Sequence, residues 1–199
     1  MTQGTKKGNY IGQGWLVILL ALIYGGGLAG VQIMLGEKIT ENKKNETYSV
    51  IPELVPGADK TKTEGLMLTG KNGKEALVYK ALSSSGDLVG WVIPAGGQGF
   101  ADRIEVLIGV DENVDTITGF FVLEQKETPG LGDYIKGKDF TDRFKEKPTD
   151  EPLVVVKREP TADNEIRALT GATISSESVS AIVNSALANL KVPILEKKG

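Results

Sequence analysis

From Gly8 to Gly36 the chain carries no charged residue, and Trp15–Leu35 reads WLVILLALIYGGGLAGVQIML. A helix of about 20 apolar residues spans a hydrocarbon core of roughly 30 Å, so this run constrains the fold before anything else does. Trp15 opens the run where an interfacial aromatic anchor would sit, and Tyr10 lies just before it. Lys6 and Lys7 precede the run with no acidic residue beside them, while the segment beyond it is balanced in charge through Glu37, Lys38, Glu41, Lys43, Lys44 and Glu46. By the positive-inside rule residues 1–14 stay in the cytoplasm, 15–35 form a transmembrane helix, and everything after about Gly36 is exported. A cleaved signal peptide has a shorter apolar region ending in a small-x-small site. Leu28-Ala29-Gly30 fits that poorly, and the apolar run continues through Ile33, Met34 and Leu35. The reading is a retained single-pass anchor. Gly26 and Gly30 have the spacing that seats a neighbouring membrane helix, although glycine is common in such helices without packing.

Composition narrows the chemistry. With 199 residues the chain has room for one ordinary domain beyond the anchor. It has no cysteine and no histidine, which excludes disulfides, thiolate nucleophiles, Cys-ligated clusters, His-ligated metals and Ser-His-Asp catalysis. A net charge of −3 and a pI near 5.2 argue against the basic stripe a nucleic-acid partner requires. Chemistry must rest on carboxylates, hydroxyls, lysines or a bound organic cofactor.

Residues 36–70 read as a polar membrane-proximal segment, a short helix and then turns around Pro52, Pro56 and Gly57. After them the apolar period becomes two. Ala76–Leu82 and Leu88–Ile93 flank Ser83–Asp87 as one hairpin, and Arg103–Val110 and Thr116–Glu124 flank Asp111–Asp115 as a second. Asp139–Phe144 reads as a short helix and Leu153–Lys157 as another strand. Ser178–Leu190 places Val179, Ile182, Val183, Ala186, Leu187 and Leu190 on one helical stripe. Hairpins followed by a packing helix define an α+β domain with an antiparallel sheet, expected over 71–199. Trp91 reads as core. Gly96–Gly99 reads as a turn, since no lysine or helix follows to make a phosphate loop. Asp111–Asp115 reads as a solvated hairpin tip rather than a cation site.

Two stretches concentrate turn residues and hydroxyls. Glu127-Thr128-Pro129-Gly130-Leu131-Gly132 follows a strand and suits a type II turn, with Gly130 at the position needing positive φ. Thr170-Gly171-Ala172-Thr173 leads through Ile174, Ser175 and Ser176 into the last helix, where free backbone N–H groups favour an anion. Taken singly, the first is also explained as an ordinary turn and the second as helix capping by Ser175 or Ser176.

Taken together, the two motifs resemble a known family. Thr170–Thr173 resembles the (S/T)-G-A-T sequence at which a flavin transferase esterifies the phosphate of FMN to the last threonine, and ETPGLG resembles a second signature of the same FMN-binding domain family. The segment Gly99–Asp111 is also similar to that family's. With the single anchor, the chain is similar to the G subunits of Rnf complexes, which pass electrons between ferredoxin and NAD while moving Na⁺ or H⁺ across a membrane. The resemblance implies a covalent FMN on Thr173, with Thr170, Gly171 and Ala172 as the loop the transferase recognises. It places Glu127, Thr128 and Leu131 beside the flavin ring. It also implies other Rnf subunits and a flavin transferase as partners, and a redox subunit with no turnover of its own. The family's usual aspartate three residues before the core is Arg167 here, a departure from the pattern that would allow a pairing with the FMN phosphate instead. The C subunit of the Na⁺-translocating NADH:quinone reductase shares these motifs, and an anchored assembly module without flavin shares the fold.

Overall fold

The computed structural model describes residues 10–198. Lys6 and Lys7, with most of the expected cytoplasmic segment, lie outside the described residues. The chain divides into two units, residues 1–44 and 45–199. A single helix, α1 (Tyr10–Leu54), begins in the first and ends in the second.

In the first unit α1 exposes apolar side chains on every side, among them Trp15, Leu19, Ile23, Leu28, Ile33 and Met34. A helix apolar all round and unburied is matched to lipid, and this one is long and apolar enough to cross a membrane. The helix does not stop at the end of the apolar run. It continues through Lys43, Lys44 and Glu46 and past Pro52, where the sequence suggested a short helix and then turns.

The second unit is built on a six-stranded antiparallel sheet in simple chain order: β1 (Glu64–Thr69), β2 (Glu75–Leu82), β3 (Leu88–Gln98), β4 (Arg103–Asp111), β5 (Thr116–Glu124) and β6 (Lys147–Pro148). Both expected hairpins are present. The sheet's two faces follow the period-two pattern. Trp91, Ile93, Val106, Ile108, Val110, Phe120 and Val122 belong to the larger core, together with Val179, Val183, Leu187 and Leu190 of α3 (Thr173–Lys198). Tyr79, Ala81, Val92 and Leu107 form the smaller core with Ile51, Leu54 and Val55. Phe140 of α2 (Lys138–Thr141) and Phe144 join the larger core, with Phe144 stacked on Phe120 at 4.3 Å between ring centroids. Trp91 is fully buried, as expected.

The end of α1 rests on a floor made for it. Gly109 of β4 and Gly119 of β5 pair across the ladder. A Cβ on Gly109 would lie 2.4 Å from the Leu54 carbonyl oxygen, and one on Gly119 would lie 2.6 Å from Leu54 Cα. The Thr118 hydroxyl donates to that same carbonyl at 2.6 Å. Burial of Ile51, Leu54 and Val55, about 1.5–3 kcal/mol each, holds the helix through a proline that local propensity would use to end it.

Three local expectations are corrected. Gly96–Gln98 is strand rather than turn, paired with Arg103–Glu105 of β4. The strand order is not antiparallel throughout the domain, because β7 (Val154–Val156) and β8 (Glu165–Arg167) form a separate parallel pair. Helix α3 begins at Thr173, five residues before the expected start. The β2–β3 ladder also runs only to Tyr79–Val92, two residues short of Pro94. Proline has no N–H to give a second neighbour, so the strands part there.

Candidate functional site

The chain leaves β5 into the first motif. Its turn closes as expected: Leu131 N–H donates to Thr128 O at 3.2 Å, and Gly130 has φ of +76°. Glycine takes that conformation without the Cβ clash other residues meet. Gly132 then begins a short 3₁₀ turn to Lys136 that the sequence did not suggest. The second motif follows β8. Gly171 has φ of +80°, and a Cβ on it would lie 2.9 Å from Leu131 Cδ2. The two motifs therefore pack directly against each other.

Glu127 fastens them. It is 4% exposed. Its Oε2 accepts the Ser175 hydroxyl at 2.6 Å, and its Oε1 accepts the Ala101 N–H at 3.0 Å. One carboxylate thus joins the β3–β4 turn, the ETPGLG turn and the first turn of α3. Ser176 is engaged too: its hydroxyl donates to Ala172 O at 2.9 Å and accepts the Leu169 N–H at 3.1 Å. Neither serine acts as the expected helix cap; each ties the loop to itself or to Glu127.

Above this fastening lies a cavity of about 310 Å³. Thr128, Leu131 and Gly132 line it from the first motif, Gly171, Ala172 and Thr173 from the second. Phe100, Ile174 and Ser175 complete the lining, and Phe100, Leu131 and Ile174 are exposed apolar side chains at its edge. The structure thus gathers Thr128, Leu131, Gly171, Ala172 and Thr173 in one place. Glu127 lies beneath the cavity and does not line it. Thr170 lies outside the lining as well. Sequence reasoning missed Phe100 and Ile174; the signal was available in two large apolar residues flanking glycine-rich loops. A larger opening of about 630 Å³ lies between the parted strands β2 and β3 and α3, but no residue of either motif lines it.

No charged side chain lines the smaller cavity. Among the described residues neither the Thr173 nor the Thr128 hydroxyl has a hydrogen-bond partner, and Oδ1 of Asp133, just past the first motif and outside the lining, is buried without one. Arg167 is not where the sequence suggested. Its guanidinium pairs with Glu159, its carbonyl accepts from Arg143 at 2.6 Å, and it does not line the cavity. Beside it on β8, Glu165 takes both Arg158 nitrogens, at 2.8 and 2.6 Å, and the Thr161 N–H at 2.7 Å. The arginine and that N–H hold its carboxyl down at about 2. Among the described residues there is no carboxylate cluster fit for a metal ion, and Asp111–Asp115 is a hairpin tip.

The family model described as the FMN-binding domain matches residues 99–188, from the β3–β4 turn into α3, and includes both motifs. Fold and site together define an FMN-binding domain on a chain with an apolar, membrane-length helix near its start. The chain is 31% identical over 169 residues to the G subunit of the ion-translocating oxidoreductase complex of Methanosarcina acetivorans, covering 85% of this chain and 84% of that protein. It is 36% identical over 137 residues to the G subunit of the Na⁺-translocating ferredoxin:NAD⁺ oxidoreductase complex of Acetobacterium woodii, covering 68% and 65%. The fold is shared with the crystal structure of the C subunit of the Na⁺-translocating NADH-quinone reductase from Parabacteroides distasonis, at a TM-score of 0.57 and 24% identity over 72% of this chain and 79% of that one. The chain belongs to the family of G subunits of ion-translocating oxidoreductase (Rnf) complexes.

Proposed function

We propose that this chain is a membrane-anchored flavoprotein subunit that relays electrons within an ion-translocating ferredoxin:NAD⁺ oxidoreductase complex, through an FMN held as a phosphoester on Thr173. The observation that carries the reading is the condition of the hydroxyls. Thr173 lines the cavity with its hydroxyl unengaged among the described residues, whereas Ser175 and Ser176, in the first turn of the same helix, are tied to Glu127 and Ala172. Thr173 can become an ester without giving up either of those bonds. It stands at the N-terminus of α3, whereas Thr128, whose hydroxyl is also unengaged among the described residues, does not.

The residues present suit FMN. A cavity of about 310 Å³ lies at the small end of the range of about 300–1,000 Å³ typical of ligand sites, as fits a flat ring left partly exposed to a partner. Thr173 opens α3, whose first turn has no acidic side chain. A phosphoester there gains the unsatisfied N–H groups and the positive helix end, worth about 0.3–1 kcal/mol. Phe100, Leu131 and Ile174 would shield the ring from water, and the bare backbones of Gly132 and Gly171 would allow close approach. FMN, when bound, supplies a carrier that takes one or two electrons, and the part of this chain in the reading is to hold and orient it.

In this reading the N-terminus is cytoplasmic, the domain lies on the outer (periplasmic or extracellular) side, and a flavin transferase matures it there. Ferredoxin and NAD bind other subunits of the complex. The test is intact mass with in-gel flavin fluorescence on denatured protein, made with a flavin transferase, for the parent chain and Thr173→Val. One FMN adduct on the parent and none on the variant is expected. A dark parent at bare polypeptide mass, beside a labelled family member, would replace this reading with the flavin-free assembly module. A label persisting in Thr173→Val would move the attachment elsewhere.

A further inference from the structure

We propose that Glu127 is the positioning residue of the site, setting the spacing between Phe100 and Thr173 from behind rather than touching the flavin; the inference rests on the FMN reading above. Glycine backbones wall its carboxylate in. A Cβ on Gly99 would lie 2.4 Å from Oε1, and one on Gly132 would lie 3.0 Å from Oε2. Each oxygen already accepts one donor, Ala101 N–H and the Ser175 hydroxyl, from segments 26 and 48 residues away. The side chain is therefore held and its hydrogen-bonding capacity turned inward, away from the cavity that Thr128 and Leu131 line.

Each joined segment has local bonds of its own. Gly99 N–H donates to Asp102 O, Leu131 N–H to Thr128 O, and Ser176 N–H to Ala172 O. Those bonds preserve the shape of each turn but say nothing about the distance between turns. Glu127 joins all three directly. Phe100 rides on the first, Leu131 on the second and Thr173 on the third, so this carboxylate sets the width of the cavity together with the Leu131–Gly171 packing and the exposed Lys126–Asp102 pair. A reacting hydroxyl misplaced by about an ångström can lose about 100-fold in rate, so a transferase presented with a loosened Thr173 should lag by that order.

The variants separate spacing from other roles. In Glu127→Gln the amide oxygen accepts Ala101 N–H, and its NH₂ donates to a Ser175 hydroxyl that has rotated to accept. Glu127→Ala leaves the buried Ser175 hydroxyl and the Ala101 N–H, on an exposed turn residue, without their acceptor, and Ser175→Ala removes the link to α3 together with one hydroxyl of the cavity lining. Three measurements are made on the full-length chain in detergent. They are the rate of FMN loading by the transferase, the visible circular dichroism of the bound flavin, and hydrogen exchange of the peptide holding Ala101 in flavin-free protein, with thermal melting as the folding control.

Glu127→Ala and Ser175→Ala should load about 10- to 100-fold more slowly and lose flavin dichroism. Glu127→Gln should match the parent in both. Faster exchange at Ala101 is expected for Glu127→Ala alone. Parent-like loading and dichroism in Ser175→Ala would overturn the proposal even if Glu127→Ala fails to fold. Glu127→Gln behaving like Glu127→Ala would overturn it too, by showing that the charge rather than the spacing matters. A parent chain that takes no FMN would sink the flavin reading, while Ala101 exchange would still report whether the fastening exists.

Discussion

Replacing Gly109 with alanine adds a single methyl group at a place where the helix backbone stands in its way. The new Cβ would sit 2.4 Å from the Leu54 oxygen, 2.8 Å from its carbonyl carbon and 2.9 Å from its Cβ. No side-chain rotation relieves such contacts, so the end of α1 must lift from β4 and β5. Overpacking of this kind costs about 1–3 kcal/mol, and the Thr118–Leu54 hydrogen bond lost with it adds about 1 kcal/mol. For a domain of this size each kcal/mol moves the melting temperature by about 2–4 °C, so the variant should melt about 4–16 °C below the parent. The assay is thermal unfolding of the full chain in detergent, followed by near-ultraviolet circular dichroism of the buried Trp91. Thr118→Val supplies the cross-check. Alone it should cost about 1–3 kcal/mol by leaving the Leu54 carbonyl unmet. Combined with Gly109→Ala it should cost less, because the carbonyl has already moved, a coupling of about 0.5 kcal/mol or more. A Gly109→Ala variant melting within about 2 °C of the parent, or strict additivity of the pair, would refute the argument that the glycines exist to seat the helix.

Gly171→Ala forces an alanine to φ of +80° against Leu131; it should destabilise by about 1–2 kcal/mol in urea titration and slow FMN loading, and an unchanged loading rate would show that the loop tolerates the strain. Glu165, held at about 2 against an ordinary carboxyl value of 4.5, contributes stability that is complete above about 4.5 and lost as pH falls through about 2. Acid unfolding of Glu165→Gln should therefore be flatter than that of the parent across this window, and parallel curves would contradict the role given to Arg158. Leu54→Ala, buried at 2% exposure, should cost about 2–5 kcal/mol by chemical denaturation, whereas Met67→Ala, exposed on β1, should stay within about 0.5 kcal/mol.

What the sequence disclosed was what local pattern encodes. Both central hairpins and the α3 stripe were readable because their apolar period is unbroken, and the Thr128–Leu131 turn because Pro129-Gly130 specifies it. The elements it hid are those decided by distant partners. Strand β1 has only Leu68 fully buried among six residues, and β8 is a three-residue strand whose partner β7 lies across a charged loop. Gly96–Gln98 looked like a turn because glycine reads as a breaker, yet β4 pairs with every one of these residues. At the site, the residue types Thr173, Gly171 and Leu131 were legible from the motifs. That Glu127 lies beneath the cavity was not, since its partners Ala101 and Ser175 belong to other segments.

The seat of α1 also has a consequence for the order in which the protein is made. Leu54 is synthesised well before its floor, and Thr118, whose hydroxyl meets its carbonyl, follows 64 residues later. During that interval Ile51, Leu54 and Val55 are apolar residues with no sheet to cover them. Contacts of such long sequence separation form late, after the chain has closed the loop between them. The last turns of the helix must therefore wait for the hairpin β4–β5, and a chain released or cleaved before that hairpin exists would present an uncovered apolar helix end, the surface a chaperone or protease recognises first.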